Sequence, residues 1–137
     1  RKTVNDKCEE MGISIDSIGG LTLGADPIAL SASMASYQGG DDKTLKPFVV
    51  RKAPKEHGKG KQIEGGFKEG DSVVALDDVI TTGGSTLKAI EAIENEGGKV
   101  EFVLVLVDRQ EGGKEIIEES GYKVFSLFTR DELFKSD

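Results

Sequence analysis

Two apolar runs, SVVALDD (72–78) and KVEFVLVLVDR (99–109), bracket one stretch of helical periodicity, STLKAIEAIENEGG (85–98). Runs this apolar and this rich in β-branched residues read as buried strands. Between them Leu87, Ile90 and Ile93 fall on one helical face, and Gly97-Gly98 closes the helix. Strand, helix, strand in that order calls for a parallel sheet covered by helices. Upstream the alternation continues. VNDKCEEMG (4–12) reads as a helix end and SIDSIGG (14–20) as a short strand. ADPIALSASMASYQGG (25–40) reads as a helix with Asp26 placed to cap it, Pro27 at its first position and Gly39-Gly40 at its end. KPFVVRK (46–52) is a strand, and 53–70 is a long loop with room for a hairpin around KQIEGG. KEIIEES (114–120) and YKVFSLFT (122–129) supply a last helix and strand. The expectation is an α/β doubly wound, mainly parallel sheet flanked by helices, with a long flexible loop. Residues 1–137 form one domain, long enough for a packed core.

Composition narrows the function. A net charge of −7 argues against a nucleic-acid or membrane-surface binder, because either needs a broad basic face. The one cysteine, Cys8, has no internal disulfide partner, which favours a cytoplasmic setting, and no local motif marks it as a reactive thiol. There is neither a run of about 18 apolar residues nor a visible signal peptide. The chain opens on Arg1, which implies processing or further sequence upstream.

Ligand chemistry concentrates where the first long strand ends. In open α/β sheets ligands bind at the carboxyl ends of strands, where Asp77-Asp78 and Asp108-Arg109 fall. Thr81-Thr82-Gly83-Gly84-Ser85 lies between strand end and helix start. Glycines there let the backbone approach a ligand, and the amides of a helix N-terminus favour phosphate. No lysine follows directly, so this is not a Walker loop. Asp77 and Asp78 would repel a bare phosphate and must serve another part of the ligand. Vicinal ribose hydroxyls, or a hydrated magnesium ion beside them, fit. A sugar phosphate satisfies cradle and carboxylates together; the plainer alternative is an ordinary strand–turn–helix with an acidic cap.

The string VVALDDVITTGGST (73–86) resembles the phosphoribosyl pyrophosphate (PRPP) signature of the type I phosphoribosyltransferases. The resemblance implies PRPP contacts from Asp77, Asp78, Val79, Ile80, Thr81, Thr82, Gly83, Gly84 and Ser85. A second segment narrows it. In this acidic chain residues 51–61 carry Arg51, Lys52, Lys55, Lys59, Lys61 and the only histidine, His57, against Glu56 alone. That suits either a solvated basic loop or a mobile lid over pyrophosphate. The pattern RKxxKxHG is similar to the catalytic loop of the orotate phosphoribosyltransferases and matches Arg51, Lys52, Lys55, His57 and Gly58 without gaps. GGLTLGADPIA (19–29) resembles that family's pyrophosphate loop, and VLVDRQEGGKE (105–115) places Arg109 at an orotate-contacting position, with Thr81 as another.

What the resemblance implies is transfer of the phosphoribosyl group from PRPP to orotate, giving orotidine 5′-phosphate and pyrophosphate in pyrimidine synthesis. Lys55, His57, Asp77 and Asp78 would be catalytic. Magnesium would be carried mainly by PRPP, with no dedicated protein ligands, and the sites would be shared across a homodimer by loop closure. A type I enzyme for another base, or a non-catalytic PRPP sensor, remains an alternative. Two departures stand out. Some members have lysine where this chain has Gly24, and the family carries an N-terminal hood over the base, ahead of the part matched here.

Overall fold

The computed structural model describes residues 1–54, 56 and 60–135. Six strands form one sheet in the order β3-β2-β1-β4-β5-β6. They are β1 (Ser17–Leu21), β2 (Lys46–Val50), β3 (Ile63–Gly65), β4 (Ser72–Ile80), β5 (Lys99–Asp108) and β6 (Val124–Thr129). All neighbours are parallel except β2 and β3, which pair antiparallel with Val50 opposite Ile63. The helices are α1 (Lys2–Met11), α2 (Asp26–Gln38), α3 (Gly84–Asn95), α4 (Gly113–Glu119) and α5 (Arg130–Leu133).

Strand alternation divides the core into two layers. Val74 and Leu76 of β4 face the side where Val4, Ala25, Ala29 and Ala32 pack from α1 and the start of α2. Val73 and Ala75 face the other side, against Ala89, Ile90 and Ile93 of α3 and Ile117 of α4. Both faces of β4 and β5 are therefore covered, which is why their sequences are continuously apolar rather than alternating. Phe102 and Ile93 are fully buried, and such side chains each contribute about 1.5–3 kcal/mol.

The expected α/β architecture is the one observed, with differences in detail. β4 runs two residues beyond Asp78, because Val79 and Ile80 still pair with Val107 and Asp108 of β5. β2 ends at Val50, leaving Arg51 and Lys52 outside the ladder. The first strand begins at Ser17 rather than near Ser14. The segment 53–70 is not all loop, since β3 forms the hairpin arm anticipated around 61–66. Asp26 does not cap α2: Ala25 holds that position, and the Asp26 carboxylate instead accepts the Thr22 hydroxyl at 2.6 Å. A hydroxyl one turn back competes for the carboxylate that would otherwise serve the helix amides. The short helix α5 is additional, capped by Thr129, whose side chain accepts the Glu132 amide at 3.2 Å.

Candidate functional site

Strand order reverses direction at β1 and β4, which lie side by side while their connections run to opposite edges. A crevice opens at the carboxyl ends of the strands at such a switch point. Two turns line up there. The turn after β1 is tied to β2 by the Thr22 amide on the Val50 carbonyl at 2.9 Å. The turn after β4 is tied to β5 and α4 by the Arg109 amide on the Ile80 carbonyl (3.0 Å) and the Gly113 amide on the Thr81 carbonyl (2.9 Å).

Asp77 and Asp78 sit at the heart of this arrangement and have different surroundings. Parity places Asp77 on the α3 side of β4 and Asp78 on the α2 side. Asp77 is buried, with its Oδ2 accepting the Thr86 hydroxyl of α3 at 3.0 Å and its Oδ1 accepting the Asp78 amide at 2.8 Å. Burial pushes the Asp77 carboxyl up to about 6, and the neighbouring Asp78 carboxyl adds to the rise against the opposing pull of those hydrogen bonds. Asp78 is half-buried and accepts the Val79 amide at 2.8 Å. On its other side lies Gly24: a Cβ there would stand 2.6–2.9 Å from the Asp78 carboxylate atoms. Only a residue without a side chain lets the turn after β1 come this close to Asp78. A longer residue at position 24 would have to displace that carboxylate.

The cradle is built by the same strand and helix. Gly83 precedes α3 with φ +89°, a left-handed turn that swings the chain from strand to helix. No side chain caps α3. The first-turn amides of Gly84, Ser85 and Thr86 lack intrahelical acceptors, and they lie at the positive end of the helix dipole. A cavity of about 270 Å³ surrounds this opening, lined by Asp77, residues 79–86 and Lys88. The region has the size and donor set for a phosphate group.

Of the other expected site residues, Arg51 follows β2, with its guanidinium 3.5 Å from Glu64. Lys52 is exposed. Arg109 follows β5 and pairs with Glu111 at 3.1 Å. Lys55, His57 and Gly58 lie outside the described residues. Sequence reasoning missed Lys88, Thr86 and Gly24's contact with Asp78. Lys88 stands four residues after Gly84, a spacing that puts it on the same helix face as the cradle opening, so helical periodicity was a usable signal. Thr86 ends the motif and could have been read as a partner for a buried carboxylate. Nothing local signals the approach of Gly24.

Comparison with known proteins follows the same outline. A family model described as "Phosphoribosyl transferase domain" matches residues 37–131. An orotate phosphoribosyltransferase of Aquifex aeolicus is 51% identical over 118 residues, 86% of this chain and 63% of that protein. One from Pyrococcus furiosus is 43% identical over 135 residues, 98% of this chain and 70% of that protein. The chain thus spans about two thirds of the length of these relatives. The crystal structure of Mycobacterium tuberculosis orotate phosphoribosyltransferase with Fe(III) dicitrate superposes with a TM-score of 0.82 and 34% identity, covering 97% of this chain and 72% of that one. The same enzyme in complex with PRPP gives a TM-score of 0.78 at 32% identity, over 96% of this chain and 72% of that one.

Proposed function

Because the chain belongs to the phosphoribosyl transferase family, we propose that it is the phosphoribosyl-transfer core of an orotate phosphoribosyltransferase. It would move the 5-phosphoribosyl group from PRPP to N1 of orotate and release pyrophosphate, a step of pyrimidine synthesis. The observation that carries this reading is an uncapped helix start beside two carboxylates at the switch-point crevice. The similarity to orotate phosphoribosyltransferases, one of them in complex with PRPP, supports PRPP as donor and orotate as base.

Each residue then has work that its surroundings suit. The 5-phosphate of PRPP is received by the amides and hydroxyls of Thr82, Gly83, Gly84 and Ser85, with Lys88 adding positive charge from the second turn. Val79, Ile80 and Thr81 shape the wall beside it. Asp78 and Asp77 receive the ribose hydroxyls, and the Asp77–Thr86 bond holds that carboxylate in place. As pyrophosphate departs, the anomeric carbon gains cationic character, so positioning and charge stabilisation carry the catalysis. Arg51, Lys52, Lys55 and His57 stabilise the leaving group, while Arg109 and Thr81 orient orotate.

Magnesium fits this donor set. The ion would be held mainly by substrate oxygens and waters, with Asp78 a half-buried carboxylate beside the proposed ribose site. When bound with PRPP it neutralises charge on the leaving pyrophosphate. A cytoplasmic, homodimeric enzyme with shared sites completes the proposal. No helix among the described residues is long and apolar enough to cross a membrane.

The test is a pyrophosphate-release assay of the full-length protein with PRPP and a panel of bases. Orotate should support release and purines should not. Release driven by a purine alone would move the protein to another specificity, and no release with any base would leave only a PRPP-binding role.

A further inference from the structure

Helix α3 ends on an acid where physics disfavours one. The carbonyl end of a helix carries partial negative charge, yet the last turn of α3 has no basic residue, and Glu96 follows it as the C-cap. The use of that carboxylate lies across the chain. Glu96 Oε2 accepts two consecutive backbone amides, Gln62 at 2.9 Å and Ile63 at 3.1 Å. These are charge-assisted bonds at a half-buried position, stronger than ordinary amide pairs.

What Glu96 grips is the base of the segment that follows β2. Gln62 is bonded reciprocally to Arg51: the Arg51 amide donates to the Gln62 carbonyl at 2.8 Å, and the Gln62 side-chain amide donates to the Arg51 carbonyl at 2.7 Å. This pair lies one step beyond the last ladder pair of the β2–β3 hairpin, Val50 with Ile63. β3 is only three residues long and half-exposed at best, too little to fix a strand end by itself. Glu96 therefore supplies an anchor that the short strand lacks. It sits at the far end of the same helix whose N-terminus forms the phosphate cradle. One rigid element thus sets both the cradle and the place where Arg51 leaves the sheet.

We infer that Glu96 is a positioning residue, which holds Arg51 in register with the cradle of α3 by gripping the Gln62 and Ile63 amides. The inference rests on the PRPP role proposed for Arg51.

The experiment uses the full-length protein with Glu96→Ala, Glu96→Gln, Arg51→Ala and the Glu96→Ala/Arg51→Ala double variant. Amide hydrogen exchange is measured without substrate, and KM for PRPP and kcat are measured in the transfer reaction. Glu96→Ala should speed exchange about tenfold not only at Gln62 and Ile63 but also at Arg51, with Val74 and Leu76 in β4 unchanged. KM for PRPP should rise about fivefold, more than kcat falls, and Glu96→Gln should recover most of it because its carbonyl oxygen still accepts. In the Arg51→Ala background Glu96→Ala should add little further rise. Unchanged exchange at Arg51, or an equal KM rise in both backgrounds, would overturn the inference while leaving the role of Arg51 standing. If Arg51→Ala alone leaves KM for PRPP unaltered, the assignment of Arg51 fails and this inference falls with it. Should Glu96→Ala not fold, Glu96→Asp, whose shorter side chain cannot reach both amides, must give the same exchange and KM pattern, and its absence is equally decisive.

Discussion

Asp77→Asn should make the protein more stable as pH rises, relative to wild type, while depriving it of PRPP use. Asp77 is buried between β4 and α3, and its carboxyl is pushed from 3.8 up to about 6. A folded-state value above the unfolded one means that the folded protein binds this proton more tightly. Wild-type stability is thus highest while the group is protonated. It declines as pH climbs from about 4 through about 6, and stays lower above that. With those two values the raised carboxyl costs about 2 kcal/mol near pH 5 and about 3 kcal/mol near pH 8, before partial solvation and interaction with Asp78 reduce both.

Asparagine removes that cost at every pH. It can still accept the Asp78 amide on its oxygen, and the Thr86 hydroxyl can turn to accept from the new amide. Any imperfection in this exchange, about 1 kcal/mol, is independent of pH. The advantage of Asp77→Asn over wild type should therefore grow by about 1 kcal/mol between about pH 5 and about pH 8. Urea unfolding at the two pH values measures it. An advantage that is flat or shrinks with pH would mean that Asp77 is not held in a destabilising site. Turnover with PRPP should fall severely in the same variant, since stability gained at a ligand-facing carboxylate comes with lost function.

Gly24→Ala should raise KM for PRPP about tenfold with little change in melting temperature, because the new Cβ forces the Asp78 carboxylate aside. Steady-state kinetics with an unchanged KM would remove Asp78 from PRPP binding. Crystals soaked in sulfate should hold an anion at the amides of residues 82–85, and an empty position free of lattice contacts would count against the cradle. Mixing full-length Lys55→Ala and Asp78→Asn subunits under exchange should restore about a quarter of wild-type activity if each site draws on both chains. With mixed dimers confirmed by mass, no recovery would assign the basic segment to its own subunit.

How far the sequence spoke depended on how local the physics was. β4, α3 and β5 were legible because burial on both sheet faces writes continuous apolar runs, and the single helical face of Leu87, Ile90 and Ile93 packs as its spacing requires. Asp26 misled, since an acid before Pro27 suits a cap as well as it suits the Thr22 hydroxyl, and only the turn's geometry decides. α5 is too short for periodicity to register, and β3 showed only as turn residues that left room for a hairpin around 61–66. Glu96 was invisible because its partners lie 34 and 33 residues away, where no spacing rule reaches. The uncapped helix start proposed as a phosphate cradle could be read from residue types alone, while the roles proposed for Lys55 and His57 rest on resemblance, and both residues lie outside the described residues.

Strand parity explains why the site uses two adjacent acids rather than two on one face. Carboxylates two residues apart on β4 would both point toward α3, where desolvation and mutual repulsion act on each. Adjacent positions send one acid to each side. Asp77 reaches α3 and, through Thr86, is fastened to the first turn whose amides are proposed to bind phosphate. Asp78 turns toward the loop after β1, where Gly24 leaves just enough room for it. The carboxylate pair is consequently registered against both walls of the crevice at once. Neither wall can move without displacing one of the groups proposed to hold the ribose.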